Sequence, residues 1–175
     1  MLKAIETVYN GYKFRSRLEA RVAVFFHEAG IPYEYEKEGF DLDGLRYLPD
    51  FWLPEQDCWL EVKGKEPADE EREKAKRLVY HTGKSVAIWC GPIENDVNWI
   101  EVYFLHPSHG YVDLDYNRFW VECPVCHKLA IVSCNFGLLI DDLPCGCLNS
   151  PHLTSRLSEA YIAARSARFE HGVKP

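Results

Sequence analysis

The stretch LRYLPDFWLPEQDCWLEVKG, residues 45–64, places two carboxylates and one lysine among bulky apolar side chains. Asp50 follows a proline, and Glu61 and Lys63 flank Val62 in a segment with the composition of a buried strand. Side chains alternate along a strand, so Glu61 and Lys63 point to the same face. If Asp50 lies on the neighbouring strand, its carboxylate can reach the same spot. Two carboxylates there form a hard oxygen site that suits Mg²⁺.

This combination of residues is suited to the hydrolysis of a phosphodiester. A metal ion held by Asp50 and Glu61 can polarise a phosphate and lower the pKa of a bound water. Lys63 can orient that water or offset charge that develops in the transition state. The spacing leaves a simpler alternative open, in which Glu61 and Lys63 form a weakly stabilising surface pair and Asp50 lies in a turn.

The elements that must position these residues can be predicted from periodicity. In FRSRLEARVAVFFHEAGI, apolar residues recur every three or four positions, which predicts a helix with Ser16 as N-cap and Gly30 at its end. A half-buried strand is predicted around Tyr33 and Tyr35, followed by strands in LRYLPDFWL, with Pro49 near an edge or bend, and in DCWLEVKG. The connections between these three strands are too short for helical crossovers, so we expect antiparallel pairing.

The segment after the strands predicts a helix and one more strand. PADEEREKAKRLVYHTGK is typical of a charged helix that ends at Gly83. SVAIWCG is a continuous apolar run, which predicts a fully buried strand. A strand reached through a helix usually pairs in parallel within the same sheet, so we expect that arrangement here. LTSRLSEAYIAARSARFEHG predicts a final helix.

The spacing of the acids and the order of the predicted elements resemble the PD-(D/E)xK nuclease superfamily. The matching residues are PD, then ten residues, then EVK, preceded by SRLEARVAVFFHEAGIPYEYEKE. The resemblance covers residues 10–92. It implies an α/β fold with an αβββαβ restriction-endonuclease-like core and a mixed sheet. It also implies a metal-dependent nuclease.

The resemblance also assigns roles to individual residues. By position, Asp50 and Glu61 are similar to the superfamily's Mg²⁺-binding carboxylates, with Mn²⁺ as a possible substitute. The backbone carbonyl of Val62 is implied as a further metal ligand, and Lys63 as the catalytic lysine. Glu19, in the opening helix, matches an acid that many members place next to the metal.

Two of the candidate assignments have structural alternatives. SRLE fits a capping box in which Glu19 serves the helix N-terminus rather than the site. We favour the site role because Glu19 shares a side of the helix with Ala23 and Phe26.

Lys76 and Tyr80 lie four residues apart, where some members carry a QxxxY motif that positions substrate, so they are weak candidates for nucleic-acid binding. Here a lysine replaces the glutamine, and an exposed Lys76 with a half-buried Tyr80 is the alternative.

A second constellation lies in the cysteine segment. CPVC, eighteen residues and then CGC form two close cysteine pairs, which is the arrangement that a tetrahedral Zn²⁺ needs. The predicted ligands are Cys123, Cys126, Cys145 and Cys147. The second pair has one intervening residue instead of the commoner two, which leaves room for His127 or Cys134 as a substitute ligand. Four thiolates close the coordination sphere, so we expect the zinc to be structural, in a segment that resembles a zinc ribbon.

These observations predict three parts of the chain. Residues 1–118 are expected to form the nuclease-like core, residues 119–150 the zinc-ribbon-like segment, and residues 151–175 a C-terminal helix and tail.

Composition and charge exclude several other classes of function. Apolar content of 47% and aromatic content of 14% are typical of a folded globular protein, and the net charge of −7 argues against bulk attraction to nucleic acid. There is no Walker-type phosphate loop or GxGxxG motif. The chain has no apolar run of membrane-spanning length and no secretory start, and its cysteine count is odd. We therefore expect a cytoplasmic protein that does not contact membranes.

The expected partner is a DNA substrate. An endonuclease is favoured over an exonuclease, in a small phage or bacterial protein, and cutting both strands would favour a homodimer. RNA and branched DNA stay open as substrates. The alternative is a non-catalytic nuclease-like module that binds DNA or protein, with the zinc ribbon as its contact surface.

Overall fold

The structure is a computed structural model, and it describes residues 5–93, 98–106, 108–135, 138–139, 145–147 and 153–169. The described residues form a mixed α/β fold with these elements: β1 (Thr7–Tyr9), β2 (Tyr12–Phe14), α1 (Arg17–Ala29), β3 (Glu34–Tyr35), β4 (Phe40–Leu42), β5 (Leu45–Tyr47), β6 (Phe51–Leu53), β7 (Cys58–Lys63), α2 (Asp69–Thr82), β8 (Ser85–Cys90), β9 (Trp99–Leu105), β10 (Val112–Glu122), β11 (Leu129–Asn135), β12 (Leu138–Leu139) and α3 (Ser155–Ser166).

One sheet dominates the structure. Its eight described strands follow the order β12-β11-β10-β9-β8-β7-β6-β3. The pair β7–β8 is parallel and the other described pairs are antiparallel, so the sheet is mixed. Two hairpins, β1–β2 and β4–β5, form separate two-stranded sheets. The antiparallel and parallel pairings expected around β7 are confirmed.

Helix α1 forms where its periodicity predicts. Ser16 caps the N-terminus, because its Oγ accepts a hydrogen bond from the Glu19 backbone N–H at 3.2 Å. Gly30 ends the helix in the left-handed conformation, with φ at 66°. Its C-terminal half buries Phe25 and Phe26 completely. The predicted helix bounds at both ends of α1 are therefore confirmed.

The sheet carries apolar clusters on both faces. On one face, α1 and α3 pack against it through Phe25, Tyr161 and Trp89. On the other, Leu78 of α2 packs against Trp59 in a second cluster. Helices on both faces explain why β7 is buried along most of its length, since alternate residues of that strand enter different clusters.

One predicted strand is wrong. LRYLPDFWL does not form a single strand, because it divides into β5 and β6, which belong to different sheets. The division lies at Pro49, whose nitrogen has no hydrogen to donate to a ladder and whose ring restricts the preceding residue. Because of this break, Asp50 lies in a bend directly before β6 and not within a regular strand.

The C-terminal elements are continuous with the rest of the fold. Strand β10 runs through residue 118, where we expect the core to give way to the zinc-ribbon-like segment. Helix α3 is shorter than predicted and places Leu157 and Tyr161 in the main core. The three-part division of the chain stays a prediction. In the part of the chain that the structure describes, no helix combines the length and apolarity needed to span a membrane.

Candidate active site

The predicted acids meet where β6 and β7 adjoin. The antiparallel register pairs Phe51 with Leu60, and its continuation by one residue places Asp50 opposite Glu61. Lys63 follows two residues later, on the same face of β7 as Glu61. The juxtaposition depends on the short β6–β7 connection, which brings the two strands together in antiparallel register.

Asp50 is almost fully buried, with 3% of its surface exposed. Its Oδ2 accepts a hydrogen bond from the Val62 backbone N–H at 2.8 Å. Its Oδ1 is paired with the guanidinium of Arg15, whose side chain is half exposed. One oxygen therefore fixes Asp50 to β7, and the other contacts a surface cation. The predicted role of the Val62 carbonyl stays a prediction.

Glu61 and Lys63 form a second, connected pair. Lys63 Nζ lies 2.7 Å from Glu61 Oε1 and 3.1 Å from Glu71 Oε1 in the first turn of α2. The other Glu61 oxygen, Oε2, accepts a hydrogen bond from the Tyr47 hydroxyl at 3.0 Å. Glu61 is only 8% exposed, so this arrangement holds a buried carboxylate in one orientation.

Glu19 takes part in the helix cap and lies near Asp50, and its role in the site stays a prediction. It occupies the third position after the Ser16 cap, and its Oε1 accepts a hydrogen bond from the Ser16 hydroxyl at 2.6 Å. Its Oε2 accepts hydrogen bonds from the Tyr35 hydroxyl at 2.6 Å and from the Arg15 backbone N–H at 3.1 Å. The carboxylate is 7% exposed and lies close enough to Asp50 to affect its titration.

The pKa of Asp50 reflects the carboxylates that surround it. Burial raises the pKa of Asp50 well above its ordinary value, and the Glu61 and Glu19 carboxylates raise it further. The Val62 N–H and the Arg15 charge oppose this rise but do not cancel it. Negative charge in the cluster formed by Glu19, Asp50 and Glu61, named here the acidic site, is therefore incompletely compensated.

Lys63 keeps its charge at this site. Burial lowers the pKa of its ammonium, but the Glu61 and Glu71 carboxylates outweigh burial and leave the pKa raised. Burial and the neighbouring Glu61 also raise the pKa of the Tyr47 phenol, which stays a hydrogen-bond donor. Lys63 is therefore a fixed ammonium group and not a neutral amine that could act as a general base.

The three carboxylates are neighbours but do not form a closed ligand cage. Among the described residues, three or more His, Cys, Asp or Glu ligand atoms lie within 4.8 Å of one another in the cysteine cluster. Glu19, Asp50 and Glu61 do not form such a group. At the acidic site, Arg15 and Lys63 instead bind one carboxylate each. A divalent ion shared by Asp50 and Glu61 would compete with these two cations.

The weaker candidates lie elsewhere. Tyr80 is 58% exposed, and its hydroxyl accepts a hydrogen bond from the Val112 backbone N–H at 3.1 Å. It lies nine residues beyond Glu71 along α2, about 14 Å along the helix axis. Lys76 is half-buried on the same helix. Neither residue has a described contact with the acidic site, so their role in nucleic-acid binding stays a prediction.

Sequence reasoning missed four residues that complete the acidic site. They are Arg15, Tyr35, Tyr47 and Glu71. Each reaches its partner across a long sequence separation or from another element, and local periodicity carries no signal for such contacts. The one local signal was the position of Arg15 directly before the Ser16 cap.

The cysteine cluster is assembled by two tight turns. The Sγ atoms of Cys123, Cys126, Cys145 and Cys147 all lie within 4.8 Å of one another, so they could hold a metal ion. In the first turn, the His127 N–H donates to the Cys123 carbonyl at 2.9 Å. His127 there adopts a left-handed conformation with φ at 59°, as Gly146 does between the second pair with φ at 69°.

The local backbone prepares the first cysteine for metal binding. Backbone N–H groups of Cys126 and Val125 donate to the Cys123 sulfur and lower its pKa to about 6. The Cys147 thiol donates to the neighbouring sulfurs, Cys145 first, and these hydrogen bonds raise its pKa to about 12. Four thiols packed this closely favour a cation that replaces their protons.

His127 and Cys134 were the alternative zinc ligands, and the structure describes the side chain of His127. The ring of His127 is directed to Glu122, with Nδ1 3.1 Å from the carboxylate oxygen, and is not part of the cysteine cluster. The side chain of Cys134 lies outside the described residues.

Comparison with known proteins adds no relative, since no family model, curated protein or solved structure matches the chain. Function is therefore argued from the geometry of the acidic site and the cysteine cluster.

Proposed function

We propose that the chain is a Mg²⁺-dependent deoxyribonuclease that hydrolyses phosphodiester bonds at the acidic site. The observation that carries this proposal is the meeting of three carboxylates, each no more than 8% exposed, beside the charged Lys63. Burying like charges together is costly unless a cation compensates them. Arg15, with a side chain that is half exposed, lies at the rim of the site, which supports access by a substrate.

The donor set fits a hard divalent cation. Asp50 and Glu61 would hold Mg²⁺, or Mn²⁺ in its place, through carboxylate oxygens, with the Val62 carbonyl as a further ligand. The raised pKa of Asp50 supports this fit because its cause is the neighbouring Glu61 and Glu19 charges in addition to burial. When bound, the ion would polarise the phosphate and lower the pKa of the attacking water.

The protein's own residues supply positioning and charge. Lys63 stays an ammonium, so it would offset negative charge on the phosphate in the transition state. Glu19 is fixed by Tyr35 and Ser16, which orient its carboxylate towards Asp50 and away from solvent. Arg15 pairs with Asp50 and also with Glu36 at 2.8 Å, so it would hold Asp50 in place at the rim of the site.

The topology supports the finer fold assignment. The order α1, β3, β6, β7, α2, β8 corresponds to an αβββαβ core, with β3, β6, β7 and β8 adjacent in the sheet. We assign this part of the chain to a restriction-endonuclease-like core of the PD-(D/E)xK type. The β4–β5 hairpin is an insertion between its first two strands.

For the cysteine cluster we propose a structural Zn²⁺ in a zinc-ribbon-like segment. All four ligand positions are thiols, which closes a tetrahedral sphere and leaves no open position for catalysis. Cys123 and its neighbours Val121 and Val132 form a small apolar cluster of their own. Such a segment has too little core to fold alone, so a bound metal would supply the missing stability.

A second candidate function is a non-catalytic nuclease-like module. It is favoured by the pairing of Arg15 with Asp50 and of Lys63 with Glu61, which offsets part of the negative charge of the site without a metal. In such a module the acidic site would be a structural ion-pair network. The two functions differ in whether Mg²⁺ binds at Asp50 and Glu61.

Cleavage of DNA in the presence of Mg²⁺ tests the proposal. The panel should contain circular duplex, linear duplex, single-stranded and branched DNA, and RNA, because cutting of a closed circle identifies an endonuclease. Asp50→Asn and Glu61→Gln should each lower the cleavage rate about a thousandfold or more, since metal stabilisation of the transition state is worth several kcal/mol. Both variants preserve side-chain volume, which protects the fold.

A matched control is a buried carboxylate outside the acidic site. Glu122 is 4% exposed and has hydroxyl and cationic partners, so Glu122→Gln controls for the loss of a buried charge. Its specific activity should equal that of the unmodified protein. Full activity in Asp50→Asn would exclude the acidic site as the catalytic centre. No cleavage of any substrate together with no Mg²⁺ binding would leave the non-catalytic module as the function.

A further inference from the structure

A row of side chains extends from Lys63 across the sheet. The strand registers pair Lys63 with Cys90 and Cys90 with Trp99, and the next pairing along β10 places Phe119 opposite Trp99. Residues that are directly opposite on neighbouring strands point to the same face. Trp99 therefore lies on the face of the acidic site, two strands from Lys63, or about 10 Å away.

Trp99 differs from the other tryptophans in its exposure. It is 59% exposed, whereas Trp59, Trp89 and Trp120 are at most 4% exposed and Trp52 is half-buried. Phe119 contacts it at a ring-centroid distance of 6.0 Å and an interplanar angle of 67°. A neighbouring ring thus restrains the indole while most of its surface stays open. An exposed indole held by a neighbouring ring presents a flat apolar face on which another aromatic group can stack.

A cavity of about 420 Å³ lies beside Trp99 and reaches Cys90, which pairs with Lys63 across β7 and β8. Trp99, Cys90, Gly91 and Ile100 line it. The Gly91 N–H donates to the Lys63 carbonyl at 2.8 Å, so the backbone that lines the cavity is hydrogen-bonded directly to the backbone of Lys63. A molecule bound in the cavity would lie beside a group held at Lys63.

The charges around the cavity indicate the chemistry of its occupant. Arg72, the cation that lines it, donates to Glu101 at 2.8 and 3.2 Å and to Glu66 at 3.0 Å. Its guanidinium is thus committed to two carboxylates and is poorly placed to bind a phosphate. Glu66 and Glu101 also line the cavity, and both are paired with Arg72. The rest of the lining is the Trp99 indole with Cys90, Gly91 and Ile100, which suits a flat, uncharged aromatic group.

We propose that Trp99 stacks on an unpaired base next to the phosphate that is cut, so that the substrate is DNA with a single-stranded segment at the cleavage site. This inference rests on the proposed nuclease function. A base inside a duplex has both faces covered by its neighbours, whereas an unpaired base can stack on an aromatic side chain. The net charge of −7 limits binding through the phosphate backbone, and stacking supplies binding that needs no basic surface.

Binding can be measured apart from cleavage by omitting Mg²⁺. Titration of the protein with a short oligothymidylate should quench the fluorescence of the exposed Trp99. Trp99→Ala should weaken binding ~5- to 150-fold, which corresponds to the stacking contribution of one base, and Trp99→Phe should restore most of the affinity. An oligonucleotide with an abasic site at the stacked position should bind the unmodified protein as weakly as it binds Trp99→Ala.

The matched control is Tyr111→Ala. Tyr111 is also an exposed aromatic residue, at 50%, but it adjoins β10 where that strand pairs with the far end of β9 from Trp99. This variant should bind the oligonucleotide normally. Equal binding by Trp99→Ala and the unmodified protein, duplex bound as tightly as single strand, or no oligonucleotide binding at all would each overturn the inference.

The two proposals fail in different ways. If Trp99→Ala loses oligonucleotide binding but no substrate is cut with Mg²⁺, the stacking surface stands and the nuclease proposal fails. If cleavage depends on Asp50 and Glu61 but is unchanged in Trp99→Ala on single-stranded and branched DNA, the nuclease proposal stands and the stacking inference fails. Preferential cutting of an RNA strand with the same Trp99 dependence would overturn the assignment of the substrate as DNA.

Discussion

Asp50 and Glu122 are carboxylates of nearly equal burial, with 3% and 4% of their surface exposed, yet their surroundings have opposite effects. At Asp50, burial and the neighbouring Glu61 and Glu19 raise the pKa. At Glu122, burial also raises the pKa, but hydrogen bonds from Thr154 and His127 outweigh it and the pKa is lowered. Asp50 has donors as well, but the neighbouring carboxylates and burial outweigh them, whereas the donors outweigh burial at Glu122.

The surroundings of Glu122 explain its role in the fold. Its carboxylate accepts from Thr154 at the start of α3 and from the His127 ring beside the first cysteine pair, and Arg156 lies 3.5 Å away. The Arg156 guanidinium also covers Gly30 at the end of α1, where an added Cβ would lie 2.7 Å from it. Glu122 therefore ties α3 and the cysteine turn together, and we call this group of residues the Glu122 anchor.

The comparison separates a structural carboxylate from one suited to function. The Glu122 anchor is satisfied by groups that the chain itself provides, so it needs no ligand. The acidic site has more negative than positive neighbours around Asp50, so a bound cation would lower its free energy. Residues arranged against stability in this way are common at functional sites.

The largest expected effect concerns the metal next to the Glu122 anchor. Removal of Zn²⁺ by a chelator should remove most of the folding free energy of the cysteine segment, since structural zinc contributes about 10–16 kcal/mol in small zinc domains. Hydrogen exchange should show lost protection in β11 and at the end of β10, while α1 and β7 keep theirs. One zinc per chain is expected by elemental analysis, and a chain without bound metal but with full protection in β11 would contradict it.

Neutralising Glu122 should lower the free energy of unfolding more than neutralising Asp50 does. In urea unfolding without Mg²⁺, Glu122→Gln should lose about 1–3 kcal/mol, because it leaves charge-assisted hydrogen bonds unmade. Asp50→Asn should lose less than Glu122→Gln, or gain stability, because it relieves repulsion from Glu61 and Glu19 while leaving an oxygen to accept from Val62. A larger loss in Asp50→Asn would mean that its pairing with Arg15 outweighs that repulsion.

Mg²⁺ should stabilise the acidic site and leave the Glu122 anchor unaffected. At a concentration about ten times the dissociation constant, binding to the folded state adds about 1.4 kcal/mol to the free energy of unfolding. Thermal unfolding should show this increase in the unmodified protein and in Glu122→Gln. Asp50→Asn should show none, and an equal Mg²⁺ effect in all three proteins would indicate binding elsewhere.

The smallest expected effect is in the pH dependence of stability without Mg²⁺. The pKa of Asp50 is raised in the folded state, so the folded protein holds a proton that the unfolded chain releases above about pH 3.8. The contribution of Asp50 to the free energy of unfolding therefore falls as pH rises from that value through the folded-state pKa. Asp50→Asn should show a flatter profile over this range in chemical unfolding, and an unchanged profile would exclude Asp50 as its source.

The residues of α1 and β7 illustrate what could be predicted. Ser16 and Gly30 fix the ends of α1 through interactions within a few residues, so the helix could be located from sequence. Alternation along β7 placed Glu61 and Lys63 on one face, and the continuation of the β6–β7 register places Asp50 opposite Glu61. The cysteine spacing likewise predicted the four thiols that the structure brings together.

The break at Pro49 shows where local reasoning stopped. A run of apolar residues on both sides of this proline is typical of one strand, yet β5 pairs with β4 and β6 pairs with β7. The choice between partners depends on which apolar faces can be buried together in the whole fold. That information is distributed over many residues, and a window of a few positions does not contain it.

Taken by itself, the sequence determined the positions of the helices, the strand alternation and the two sets of candidate site residues. These features depend on backbone conformation and on periodicities of a few residues. Only the tertiary structure decided that Arg15 contacts Asp50, that Glu71 contacts Lys63, and that Trp99 lies in the row that begins at Lys63. Such contacts depend on strand order and register, which are set when distant segments pack into one core.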